Sequence, residues 1–204
     1  MSYANYFELT RCLDDCLEYC RKFPDREHSE FHCSLLENAK QHLKQSTDKS
    51  NKEFTEWRME SRVDRLAWKH LARDLQSVQR KLKSVNAVGF LDQKVMYWYQ
   101  AALIAAVDQM IDYLSEHKDD LDFAADEIEK LGRQKEKALS EVDESGRALN
   151  DYLRYSKLRA DALTETKDTI ANFRRTLRRD LGVRDEDYQA IHWPQQVASD
   201  NRVL

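Results

Sequence analysis

No proline falls between Pro24 and Pro194, and the whole chain holds only four glycines. A sheet protein of this size needs frequent turn punctuation, which these residues normally supply. An uninterrupted run of that length is therefore helical. About a third of the residues are charged, with both signs interspersed, as on long solvent-exposed helices. The expected fold is all-α: an elongated antiparallel helical hairpin or coiled-coil bundle, with a short N-terminal helix and a non-helical C-terminal tail.

Apolar spacing marks the elements. Tyr6, Leu9, Leu13, Cys16, Cys20 and Phe23 alternate three and four apart, which puts them on one helical stripe over residues 3–23. Pro24 ends that helix and suits the first turn of the next. The second helix, 25–86, carries Phe31 and Leu35, turns polar over 44–53, and finishes on Leu71, Leu75, Val78 and Leu82. The polar interval has no Gly or Pro and reads as a solvated stretch of one continuous helix, with a break there as the alternative. Gly89 supplies a turn. A third helix over 91–181 follows, with kinks or breaks expected at Gly132 and Gly146. Leu181-Gly182 reads as its C-cap. Residues 1–182 thus form a single elongated bundle and 183–204 a tail.

A turn at Gly89 implies that the second and third helices run antiparallel. That register sets Arg65 opposite Asp112, Arg62 opposite Glu116, and Arg58 opposite Asp119 and Asp120. The charges match across it. Exposed pairs of this kind contribute a few tenths of a kcal/mol and act on register more than on stability.

Residues 95–107 are apolar on nearly every face, and such a helix must be covered on several sides. One antiparallel partner covers a single stripe, so a third helix or a second subunit is required. Tyr97, Trp98, Leu103, Ile104 and Val107 are accordingly the candidate oligomerisation residues, and the chain is expected to be a homo-oligomer. In the tail, Tyr188, Ile191 and Trp193 are too apolar for a disordered end and are candidate anchors on a helical surface.

Two clusters allow sharper chemistry. Cys16 and Cys20, with His28 and His32 beyond Pro24, offer two thiols and two imidazoles for a tetrahedral metal. The plain alternative is that the thiols pack as small apolar groups. Arg174, Arg175, Arg178, Arg179 and Arg184 concentrate positive charge suited to phosphates of lipid head groups or other polyanions, or to a solvated face that complements the helix dipole. The formal charge of −4 provides no global field for nucleic acid.

Catalytic motifs are missing. There is no Gly-rich phosphate loop, no Gly-x-Ser-x-Gly and no His-Glu-x-x-His. None of the six histidines has a Glu three residues before it, as a di-iron bundle would require. The sequence reads as a non-enzymatic scaffold without cofactor that self-associates and binds a protein partner not identified by sequence. A membrane-surface or polyanion binder and a metal-binding bundle are the alternatives. No secretory signal or membrane-spanning run is visible and four cysteines are present, so the expected location is the cytoplasm.

Overall fold

The computed structural model describes residues 3–85 and 100–194. Five helices follow in chain order: α1 (Tyr3–Lys22), α2 (Glu27–Ser84), α3 (Gln100–Glu116), α4 (Ala124–Asp180) and α5 (Glu186–Ala190). The fold is all-α, and the long helices α2 and α4 pack against each other. No strand occurs among the described residues.

The 58-residue α2 is unbroken across its polar interval. That interval is not simply solvated, however: Ser46, Thr47 and Ser50 are buried. Ser46 Oγ donates to the carbonyls of His42 and Leu43 at 2.8 and 3.1 Å. Its own helix thus satisfies the hydroxyl, which lets a polar side chain enter an interface without an orphaned donor.

The expected third helix is two helices. The chain leaves helical geometry over 117–123, between α3 and α4, and not at either internal glycine. Gly132 and Gly146 lie inside the 57-residue α4. The break falls where Asp119, Asp120 and Asp122 cluster. Aspartate competes for backbone donors in non-helical conformations and so favours turns and helix starts. Asp126 and Glu127 then occupy the first turn of α4, where negative charge complements the helix dipole. At the far end, Gly182 takes φ 85° and its N–H bonds the carbonyl of Arg178 at 3.1 Å, the C-cap the sequence implies.

The chain divides into two compact units, Met1–Glu53 with Tyr152–Leu204, and Phe54–Asp151. The cause lies in which helices join α2 and α4. In the first unit α1 runs antiparallel to α2, with Lys40 paired to Asp14 and Arg21 to Glu37. Leu9, Leu13 and Leu17 of α1 meet Leu36 and Leu43 of α2 and Ile170, Phe173 and Leu177 of α4.

In the second unit α3 is the added helix. Leu103, Val107, Met110 and Leu114 join Leu71, Leu75, Val78 and Leu82 of α2 and Leu131 and Ala138 of α4. Lys81 pairs with Glu127 at 2.5 Å and Asp74 with Lys130 at 2.6 Å, while the hydroxyls of Ser61 and Ser145 meet at 3.4 Å. Residue numbers fall along α2 as they rise along α4, so these two are antiparallel. Lys135 of α4 pairs with Asp108 at 2.5 Å, and the short 117–123 connection makes α3 antiparallel to α4 as well. It follows that α3 is parallel to α2. Val85, at the end of α2, accordingly lines the same cleft as Tyr113 and His117, at the end of α3. The antiparallel partner of α2 is therefore α4, and the register that set Arg65, Arg62 and Arg58 against Asp112, Glu116 and Asp119 does not exist within the chain. The Gly89 turn itself lies outside the described residues.

A Cβ at Gly132 or Gly146 would meet nothing within 4 Å. Gly132→Ala and Gly146→Ala should each raise stability by roughly 0.5–1 kcal/mol and the melting temperature by about 1–4 °C, read by thermal circular dichroism.

Candidate functional site

The apolar candidates divide between core and undescribed chain. Leu103 and Val107 are buried in the second unit and Ile104 is half-buried. The cover over Leu103 and Val107 comes from two helices of the same chain, α2 and α4. Tyr97 and Trp98 lie outside the described residues.

Among the described residues, Cys16, Cys20 and His32 do not form a ligand set. Cys12, Cys16 and Cys20 are buried, and the sulfur of Cys16 lies 3.9 Å from that of Cys12, one turn away on the same helix. His32 Nε2 meets Thr176 Oγ1 at 3.3 Å, and its ring lies 5.2 Å from that of Phe173. The side chain of His28 lies outside the described residues. Burial, with no compensating cation, pushes the Cys16 thiol up and raises Cys20 to about 12. Cys33 is raised too, also through burial, though it is only half-buried. The buried thiols of Cys16 and Cys20 are protonated and inert at neutral pH. Among the described residues, the group whose ligand atoms lie close enough for a metal is Glu60, Glu141 and Glu144, all within 4.8 Å. No sequence motif singled out these glutamates; α2 and α4 bring them together.

Around the tail a closed set of contacts forms. Asp185 caps α5, accepting from the N–H groups of Asp187 and Tyr188. Tyr188 and Ile191 enter the apolar core of the first unit, and Trp193 packs against it. Trp193 Nε1 donates to the Tyr188 carbonyl at 3.1 Å, Arg174 Nε donates to the Tyr188 hydroxyl at 3.0 Å, and the Arg174 guanidinium lies over the Trp193 ring at 5.3 Å. Lys22 pairs with Asp187 at 2.8 Å, and the His192 N–H donates to Asp15 at 2.8 Å. The tail was expected to be non-helical, yet 186–190 form one helical turn, because a capped turn satisfies donors that would otherwise be orphaned near the core.

These contacts redistribute the arginine cluster. Arg174 is committed to the tail and Arg179 pairs with Asp180 at 2.9 Å. Arg175, Arg178 and Arg184 are exposed.

Among the described residues a second basic cluster lies elsewhere. Along α2, Arg58, Arg62, Arg65, Lys69 and Arg73 are all exposed. Their spacing of three and four residues places them on one helix face. Beside them Met59, Val63 and Leu66 are 55 %, 41 % and 43 % exposed. Glu60 and Asp64 are half-buried on the inward side. Arg65 Nε donates to the Ser61 carbonyl at 3.0 Å and Arg58 lies over Phe54 at 5.7 Å. Among the described residues none of the five cations makes an ion pair.

No family model, no curated protein and no solved structure matches this chain. Its class is therefore defined by the fold alone, an all-α helical bundle, and no helix among the described residues is long and apolar enough to cross a membrane.

Thiol labelling, unfolding as a function of pH, and truncation check the site. Iodoacetamide at pH 8 should label Cys33 first and Cys16 and Cys20 only on unfolding, as peptide mapping would show. Because the folded Cys20 thiol holds its proton from the ordinary value of 9.0 up to about 12, the stability this contributes is complete below pH 9 and declines as pH rises through that window. Ending the chain at Arg184 removes Tyr188 and Ile191 from the core and should cost at least about 3 kcal/mol in a urea titration.

Proposed function

We propose that this chain is a non-enzymatic assembly protein that self-associates and presents helical surfaces to protein partners. The observation that carries the reading is the row of exposed apolar side chains Met59, Val63 and Leu66 on α2. They recur four and three residues apart, the spacing at which a helix offers a seam to another helix. Solvent is a poor neighbour for such a row when the same helix already buries Leu71, Leu75 and Val78 on its other side. Buried free thiols at Cys12, Cys16 and Cys20 support a reducing compartment such as the cytoplasm. The exposed Arg175, Arg178 and Arg184 support, more weakly, a peripheral polyanion-binding role, which salt-dependent binding to anionic vesicles would reveal.

Light scattering at micromolar concentration and low salt should return a mass of at least twice the 24.1 kDa of one chain. A single-chain mass at every concentration would refute self-association.

A further inference from the structure

The basic face of α2 has a counterpart in the same unit. Asp112, Glu116, Asp119, Asp120, Asp122 and Asp126 are all exposed, and Lys118 is the one lysine or arginine among residues 112–126. None of these six carboxylates makes an ion pair among the described residues. They gather where α3 ends and α4 begins, an end that α2 reaches only at Val85, which lines the same cleft as Asp120 and Asp122.

Because α3 is parallel to α2, Arg62 and Arg65 sit at a different level of the unit from Glu116 and Asp120. Arg65 lies twenty helical residues before Val85, about 30 Å at 1.5 Å per residue. That is several times the roughly 8 Å Debye length at physiological ionic strength. Arg62 and Arg65 therefore cannot neutralise Glu116 and Asp120 within one chain. They can between two.

We infer that the basic-apolar face of α2 around Arg62 and Arg65 is the docking surface for a second copy of this chain, whose acidic α3–α4 corner around Glu116 and Asp120 covers it. The inference rests on the self-association proposed above and names its surface. A two-fold arrangement uses each contact twice: the basic face of one copy meets the acidic corner of the other, and the reverse. Such an interface is closed and self-complementary, and it ends at a dimer. Met59, Val63 and Leu66 lie beside the cations and become the apolar core of the contact, with the charges as its polar rim. Opposite charges across the rim set the pairing and exclude the like-charged alternative, in which two basic faces meet. An anionic membrane would suit the cations but would repel the acidic corner of the same unit, so a second copy answers both features where a membrane answers one.

The experiment uses the full chain in three forms, with circular dichroism confirming that each is folded. Light scattering is run at 50 mM and 500 mM salt. Wild type should give twice the chain mass at low salt and move toward one chain at high salt, since exposed charge pairs are screened. Arg62→Glu with Arg65→Glu should halve the low-salt mass, as should Glu116→Lys with Asp120→Lys. Mixing the two variants should restore the mass of two chains, because each reversed face then meets a reversed corner. A wild-type oligomer whose mass neither variant changes would leave self-association standing and overturn this surface. Variants that each dissociate but fail to recover on mixing would show that the two patches do not face each other. A wild-type single chain that binds phosphatidylserine vesicles, and loses them on Arg62→Glu with Arg65→Glu, would reassign the face to a membrane.

Discussion

The antiparallel seam between α2 and α4 is the constraint on which every other placement depends. Both compact units are built on it, and each adds what the two helices cannot supply for themselves. A pair of helices buries one stripe apiece, which leaves Leu36 and Leu43, or Leu71 and Leu75, covered on one side only. In the first unit α1 and the tail supply the missing cover, and in the second α3 does. Each fully buried leucine contributes about 1.5–3 kcal/mol relative to exposure, so an uncovered seam would lose much of the marginal stability a domain possesses. The seam also decides direction. Once α4 is antiparallel to α2, a short connection from α3 to α4 forces α3 to lie parallel to α2.

Polar groups within the buried layers add specificity more than strength. Glu127 is 5 % exposed and meets Lys81 at 2.5 Å, and a carboxylate so placed penalises any register that removes its cation. Ser46, Thr47 and Ser50 occupy buried positions on α2 where leucines would serve several alignments equally well. Small hydroxyl side chains can return their hydrogen bonds to the helix backbone, as Ser46 does. The long helices thus carry marks along their length that oppose sliding.

The same direction rule leaves the surface charge unresolved. A basic row on α2 and an acidic corner between α3 and α4 would neutralise each other in an antiparallel hairpin. In the observed topology Arg62 and Arg65 lie at a different level from Glu116 and Asp120, and the dimer proposed above would bring the two sets together. The tail follows a contrary logic. Its aromatic residues and Asp187 are answered inside the chain by Arg174 and Lys22, so the Arg-rich end of α4 is in part an internal fastening.

Helical class, the end of the first helix at Pro24, the continuity of α2 and the cap at Gly182 were all legible in the amino-acid order. Each depends on local physics: backbone restriction at proline, positive φ at glycine, and a short-range apolar period. Topology was not legible in this way. The stripe through Tyr113, His117, Leu121 and Ala124 keeps helical spacing across a real break, because residues of a turn can fill the same core as those of a helix, and Leu121 and Phe123 do. Glycine was the expected marker of that break, yet Gly132 and Gly146 are absorbed by a long helix whose packing outweighs about 1 kcal/mol of propensity each. The charge match between Arg58–Arg65 and Asp112–Asp120 was visible in the sequence, but a match has no address: it says that two surfaces fit, and only the tertiary structure decides whether they belong to one chain. That decision rested with the buried seam of α2 and α4, since the burial of many leucines outweighs exposed ion pairs worth a few tenths of a kcal/mol.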